Sequence, residues 1–588
     1  MGRRLRGYLP PLLWVRSYNR QVFTGDLSAA LIVAVMVIPQ SLAFALVAGL
    51  PAQAGLYASI LPVMAYALFG SSNALAIGPV ALISLMSAAA VGQVAAAGTA
   101  GYMVASIALA LLAGLILLVM GLLRLGFLSN FISHPVISGF ITASGLLIAA
   151  SQFRHIAGVE VHGDNLPALA QGYWQTLPDS NLPTLVIGLL SLLFLYCVRY
   201  QLPKLLARLG LSPKLAATLV RSGPLIAVAA ATLAVALLAL DQQGVAVVGE
   251  VPAGLPPFGL PGGSLALMEA LALPALLISI VIFVESVSLA HKLATSRNER
   301  VDPDQELIGL GAANIASALS GGFAVAGGFS RSAINYDAGA RTPAAGALTG
   351  LVIGLITLFC TGVFYYLPDA VLAATVTISV LSLVDLPGIA RVWSYSRHDG
   401  AALLGTLAIT LLSGVTLGIL TGVSLSLILY LWRTSRPHSA LVGRIEGTEH
   451  FRNSQRYHTE TDPHIRILRV DESLYFANAR YLEDCVYAVI ADNPELRDFV
   501  LMCPAVNWID TSALESLEAI NHRLSQSGIR LHLCEVKGPV MDKLRRSRFI
   551  ANLTGKVFMS TFQAWCELRG NPEVAPSASD PSPNGPGQ

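Results

Sequence analysis

The chain has 588 residues, 54% of them hydrophobic and only 12% charged, against roughly a quarter charged in soluble proteins. A mean hydropathy of +0.64 excludes a soluble enzyme throughout, and abundant glycine without a Gly-X-Y period excludes collagen. The 37 basic and 35 acidic residues leave a net charge of +2, which removes the electrostatic case for a nucleic-acid binder.

The opening MGRRLRG is basic, and no short apolar stretch with a small-residue cleavage site precedes the first long apolar run, so a removable signal peptide is not expected. Residues 1–25 read as a cytoplasmic segment. From Leu27 to Leu123 no side chain is charged. A charge at bilayer depth costs kilocalories unless it is paired or hydrated, so this run predicts about four spans of roughly 20 residues. Further spans are expected near 128–150, 182–198, 222–240, 270–290, 307–321 and 343–368, and a last pair between Asp399 and Arg433. With two short segments counted, the total is about fourteen.

Basic clusters set the orientation. Arg3, Arg4 and Arg6, Arg124, the group from Arg199 to Arg221, Lys292 to Arg300, Arg391 and Arg397, and Arg433 and Arg436 are expected on the cytoplasmic side, with both termini. The loops between them carry Glu160, Asp164, Asp179, Asp241 and Glu250, with Arg154 as the main basic exception. The membrane domain is expected over 26–435, as two repeats at about 26–240 and 270–435.

Beyond Arg433 charge returns and apolar runs shorten. After a linker, 436–463, a small α/β domain is expected at 464–570. IRILRV, SLYFA, DFVLMC and IRLHLCEV read as strands, and ARYLEDCVYAVIAD, SALESLEAINHRLSQ and PVMDKLRRSRF as helices. The tail 571–588, rich in Pro, Ser and Gly, reads as disordered. Six cysteines without a C-x-x-C pair read as reduced structural thiols, and neither a metal nor a cofactor is expected.

Two apolar segments are interrupted alike. NALAIGPVALISLM carries Gly78 and Pro79, and GGFAVAGGFSRSAIN carries Gly327 and Gly328 before Ser330 and Arg331. Both read as half-helices entered through extended backbone. Paired interruptions of this kind point to a midplane site in inverted-repeat transporters. Gln40 precedes Gly78, and Glu285 precedes Gly328, by about forty residues each, so each half would pair one full span with one broken helix. Half-helix N-termini suit a small anion, and Arg331 adds a planar donor fork. For Glu285, between IVIFV and SVSLA, desolvation disfavours the ionised form while a nearby Arg331 would favour it, an opposition that suggests proton coupling. The bland readings are packing for the glycines and for Gln40 and Phe44, snorkelling for Arg331, and a structural ion pair for Glu285.

At these residues the chain resembles the SulP anion-transporter family, which includes sulfate permeases and their relatives pendrin and prestin. IPQSLAFALVAGLPAQAGLYASILPVMAYALFGSS is similar to the family's first-span signature, GGFSRSAINYDAGARTP to its tenth-segment signature, and residues from about 464 to 566 to its STAS domain. The resemblance implies a polytopic α-helical fold with a 7+7 inverted repeat, core and gate domains, and a homodimer. It also implies an anion pocket of Gln40, Phe44, Gly78, Pro79, Val80, Gly328, Phe329, Ser330 and Arg331. Val80 departs from prestin-like members, which carry an aromatic there. Glu285 occupies the acid position that resembles proton-coupled sulfate permeases. Thr511, after Asp510 in NWIDTSALESL, resembles the phosphorylated loop of anti-sigma-factor antagonists, although Asp, Thr and Ser are also preferred N-caps.

The expected function is therefore secondary, proton-coupled import of sulfate or a similar oxyanion by alternating access across the plasma membrane. Bicarbonate or dicarboxylate transport, anion exchange, and an anion sensor signalling through the STAS domain to a cytoplasmic partner are the alternatives. No H-E-x-x-H, Walker loop or G-x-S-x-G elbow supports an enzyme.

Overall fold

A backbone without water around it must satisfy its own N–H and C=O groups, so charge-free sequence becomes helix wherever the chain allows. The computed structural model describes residues 18–570 except 132, 162, 210–218, 221, 260–261, 263 and 296, together with 10, 14 and 15. The expected tail and most of the opening basic segment lie outside the described residues. Two compact units result, Met1–Leu427 and Ile428–Gln588.

The first repeat begins with α1 (Arg20–Val47), capped by Asn19, whose side chain accepts from the Val22 N–H. It continues through α2 (Ala52–Tyr57), α3 (Leu61–Phe69), the two-residue strand β1 (Ile77–Gly78), α4 (Ala81–Val91), α5 (Ala100–Leu122) and α6 (His134–Ala157). A short helix, α7 (Leu166–Thr176), precedes α8 (Leu182–Tyr196), which runs through a π-helical turn at Cys197–Gln201 into α9 (Leu202–Arg208). Helix α10 (Gly223–Leu238) closes the repeat. The charge-free run from Leu27 to Leu123 thus yields the four predicted segments.

The second repeat follows the same order. It has α11 (Leu265–Thr295), α12 (Pro303–Leu319), β2 (Ala326–Gly327), α13 (Phe329–Asp337), α14 (Ala344–Phe359), α15 (Asp369–Leu381), α16 (Leu386–Tyr395), α17 (Arg397–Ser413) and α18 (Val415–Ser435). The segment α15–α16 is absent from the predicted spans, because Asp369, Asp385 and the helix-breaking Pro387 hide its apolar run. Counting α2–α3, α8–α9 and α15–α16 as one segment each, and the strand-plus-helix pairs likewise, and leaving out the short connecting helix α7, gives seven segments in each half among the described residues.

Packing partners exchange between the halves. Helix α6 packs on α17 as its counterpart α15 packs on α8, and α6 and α15 meet each other. Likewise α5 packs on α11 as α14 packs on α1, and α4 on α11 as α13 on α1. The exchange fits a twofold relation of opposite topology, which the β1–β2 pair expresses locally. Ile77 lies opposite Gly327 and Gly78 opposite Ala326, antiparallel.

The second unit holds a six-stranded sheet in the order β4-β3-β5-β6-β7-β8. Its strands are β3 (Ser439–Arg444), β4 (Phe451–Asn453), β5 (Ile465–Val470), β6 (Asp498–Met502), β7 (Arg530–Cys534) and β8 (Val557–Phe558). Its longer helices are α19 (Ala479–Ala491), α20 (Thr511–Gln526), α21 (Gly538–Arg546) and α22 (Thr561–Leu568), with a single helical turn at Phe549–Asn552. Strands β5 to β8 are parallel, joined by helical crossovers over a core that includes Phe499, Leu501, Leu517 and Leu531. Two expectations change. Residues 436–463 are not a free linker, since β3 pairs with both β4 and β5. SLYFA is a turn, not a strand, because Asn478 accepts from the Tyr475 N–H and donates to the Ser473 carbonyl.

In this unit Asp498 accepts a forked pair of hydrogen bonds from Arg530, at 2.8 and 3.0 Å, and one from His532 at 3.0 Å. Burial pushes its carboxyl up, but the hydrogen bonds from His532 and Arg530 outweigh burial and hold it below the ordinary carboxylate range. A depressed folded value adds stability above the unfolded value of about 4, and that stability is lost as pH falls through the folded value. Asp498→Ala is expected to cost about 2 kcal/mol at neutral pH. Hydrogen exchange across β6 and β7 in the full chain should accelerate, and the gap from wild type should close in acid.

Candidate functional site

The two strands bring the interrupted helices together, and α4 and α13 leave the pair in opposite directions. Gly78 sits at φ +153°, and a Cβ there would overlap the Arg331 guanidinium. This close approach is what glycine permits. Arg331 is 4% exposed. Its Nη1 donates to the Ile77 carbonyl at 2.9 Å, and its Nη2 donates to the Pro79 carbonyl. Its Nε–H has no partner.

Other polar side chains satisfy the rest of the extended backbone, as they must where water is excluded. The Ser332 Oγ accepts from the Ala76 N–H at 2.9 Å, and Asn335 donates to the Ala74 carbonyl at 3.1 Å. From α11 the Ser286 Oγ accepts from the Gly327 N–H at 2.9 Å. From α12 Asn314 both donates to and accepts from Val325, at 3.0 and 2.9 Å. Sequence reasoning passed over these four residues. Ser332 and Asn335 carry a legible signal, a polar pair at i and i+3 on an otherwise functional half-helix.

Val80 is the N-cap residue of α4 and Gly328 that of α13, both with extended backbone, and no side chain caps either helix. The first-turn N–H groups of both helices are therefore presented beside the β1–β2 pair. A cavity of about 450 Å³ reaches α13 at Phe329. Gln40 of α1, Arg199 in the π-helical turn, Asp337 of α13, and Thr375 and Ser379 of α15 give it polar walls.

The predicted residues divide among three positions. Gln40 and Phe329 line the cavity, with Phe329 47% exposed and the Lys292 ammonium 5.1 Å from its ring centre. Phe44 is buried one turn beyond Gln40, in an apolar cluster with Ala81 and Ile148. Gly78, Pro79, Val80 and Gly328 form the crossing, where Arg331 braces backbone instead of projecting into the cavity. Ser330 lies in the first turn of α13. Glu285 faces elsewhere. It lines a narrow apolar crevice with Leu82 of α4, Val136 and Phe140 of α6, and Thr406 of α17, and its Oε2 has no partner. The anticipated pairing of Glu285 with Arg331 is not made, since Arg331 spends its fork on carbonyls. Thr511 is exposed at the start of α20, after Asp510, whose carboxylate caps the Ala513 N–H and accepts from the Phe476 N–H.

Glu306 of α12 is a further buried acid. Its carboxylate accepts from the Tyr66 hydroxyl at 2.7 Å, the Ser71 N–H and Oγ at 2.9 and 2.7 Å, and the Ser72 N–H at 2.9 Å. It anchors the chain between α3 and β1. Removing it strands four donors, those of Tyr66 and Ser72 buried and the two of Ser71 half-buried, so Glu306→Ala is expected to cost about 3–5 kcal/mol. The thermal midpoint in detergent should fall with a loss of folded yield, while an unchanged midpoint would refute the anchoring role.

Comparison with known proteins agrees with this architecture. Residues 23–406 match the sulfate permease family and residues 456–564 the STAS domain. The chain is 35% identical over 560 residues to sulfate transporter 4.1, chloroplastic, of Arabidopsis thaliana, covering 93% of this chain and 80% of that protein. It is 34% identical over 547 residues to a probable sulfate transporter of Mycobacterium tuberculosis, covering 92% and 95%. Its fold is similar to that of the murine Slc26a9 anion transporter in the inward-facing state, with a TM-score of 0.87 at 23% identity, covering 97% and 95%. The multi-span helical fold, the crossed half-helices and the family match together place this chain in the sulfate permease family, as an anion transporter carrying a C-terminal STAS domain, not an enzyme.

Proposed function

We propose that the protein imports sulfate or a closely similar oxyanion together with protons, by alternating access. The observation that carries this reading is the meeting of two helix N-termini without side-chain caps, one of which borders a large cavity with polar walls. N–H groups and dipole ends attract an anion there without a titratable partner. Gln40 supplies a polar contact and Phe329 lines the pocket, and the family resemblance adds Phe44, Val80 and Ser330 to it. Arg331 contributes its charge from behind the crossing while fixing its backbone. The names of the relatives, sulfate transporters of a plant and a bacterium, support sulfate as cargo.

Glu285 supports proton as the coupling ion. An unpaired carboxylate against aliphatic walls is costly to carry past the gate helices in its ionised form, and protonation removes that cost. The basic loops favour cytoplasmic termini in a plasma membrane, and the homodimer that the family resemblance implies is retained. Thr511, exposed at a helix start, is a candidate for regulatory phosphorylation.

The test is labelled sulfate uptake into proteoliposomes, with and without an inward proton gradient, competed by bicarbonate, fumarate and chloride. Gradient-driven accumulation is expected. Accumulation of a competitor in place of sulfate would replace the cargo, counterflow without net uptake would make the protein an exchanger, and binding without movement would make it a sensor.

A further inference from the structure

One stripe of α6 carries polar groups that its present packing does not use. Ile137, Ile141, Ser144, Ile148 and Gln152 are spaced by three and four and share a face. Ile137 and Ile141 line the crevice with Leu82 of α4 and Glu285 of α11. Ile148 belongs to the apolar cluster that holds Phe44 of α1 and Ala81 of α4. The stripe therefore lies against the elements that bear the crossing, and it continues past them along α6. Ser144 and Gln152 are 1% and 2% exposed, and the Ser144 Oγ and the Gln152 Nε2 have no partner.

Alanine and leucine would pack such a seam without stranding an amide and a hydroxyl, and buried polar groups are ordinarily satisfied. The repeat supplies a use for them. Helix α15, the counterpart of α6, turns Thr375 and Ser379, with Ser382 just past its end, into the open cavity, beside Gln40 and Phe329. In this structure the cavity opens along α15, while the seam along α6 is shut.

We infer that Ser144 and Gln152 line the other half of the anion's route, buried and without a protein partner here, and hydrated when the helices bearing the crossing shift against α6. The anion would then exchange hydration for the Gln152 amide and the Ser144 hydroxyl on the side opposite the present cavity. The inference rests on the alternating-access reading.

The test uses the full chain with Cys197 and Cys360, the exposed thiols of the membrane unit, replaced by serine. Ser144→Cys, Gln152→Cys and Thr142→Cys are treated during sulfate uptake with a membrane-impermeant thiol reagent, from the side away from Arg199. Thr142 is equally buried and unpartnered, but lies about 200° around the helix from Ser144. Labelling at 144 and 152 is expected at least about tenfold faster than at 142, and to block uptake. In a background that transports sulfate, labelling at neither position overturns the inference and leaves the transport reading intact. A background that binds sulfate without moving it refutes the transport reading, and this inference with it. Gln152→Leu, which keeps the volume and removes the amide, should slow uptake at least about fivefold with dispersity in detergent unchanged. Wild-type uptake by that variant would remove Gln152 from the route.

Discussion

Arg331→Lys is expected to lower sulfate uptake by well over about tenfold, although it keeps the positive charge. The guanidinium reaches two carbonyls at once, those of Ile77 and Pro79, on either side of Gly78. A lysine ammonium is a point donor on a flexible stem and cannot hold both with the same geometry. Hydrogen bonds from charged groups are worth about 1.5–3 kcal/mol each, so losing one loosens the start of α4 by that amount. Gly78→Ala should give the same defect from the other side, because its Cβ would overlap the guanidinium at a backbone angle that side chains rarely adopt. Sulfate binding to purified protein and uptake in proteoliposomes are the paired measurements. If Arg331→Lys transports normally while Arg331→Ala does not, charge alone matters and the bracing role is refuted.

Glu285→Gln is expected to abolish accumulation while leaving downhill movement. Glutamine imitates the protonated acid in size and neutrality, so the crevice formed with Leu82, Val136, Phe140 and Thr406 is crossed without a proton. Uptake by wild type should increase as external pH falls relative to internal pH. The variant should be flat over the same range, and its internal sulfate should stop at the external concentration or its electrochemical equivalent. Retained gradient-driven accumulation would move coupling to another group. Because Glu285 faces α6 and α17 and not the Arg331 fork, the anion and the proton would be coupled through the relative position of the helices, without direct contact between their sites.

The parts of this architecture that were legible in sequence are those with a physical signature in residue type. Absence of charge marked the first four segments, because charge is what a bilayer penalises. Gly78–Pro79 and Gly327–Gly328 marked the broken helices, because only such residues tolerate the backbone there. What escaped had partners that sequence does not display. The acceptors of Arg331 are main-chain carbonyls, which every residue owns, so its distance in sequence from Ile77 and Pro79 gave no hint of the contact. Glu285 and Arg331 looked like an ion pair on charge alone, yet the helices direct them to different neighbours. SLYFA alternates like a strand, but the Asn478 side chain closes it into a turn. Strand β3 was obscured because SALVGR follows directly on the polar end of the last span, and its pairing with β4 and β5 is what defines it.

The antiparallel β1–β2 pair also bears on how transport should respond to a membrane potential. Helices α4 and α13 begin at adjacent points and run apart, so the partial positive charges at their N-termini add where they meet. Their dipole moments point in opposite directions and largely cancel. The centre can thus hold a strong field for an anion while contributing little net dipole to the work of moving in a membrane potential. Voltage dependence should then follow the formal charges, among them the cargo, Arg331, Glu306 and whichever protonation state Glu285 carries. A divalent oxyanion moving with two protons would leave the same charge on the protein before and after transit, and its current would vanish even while uptake is fast.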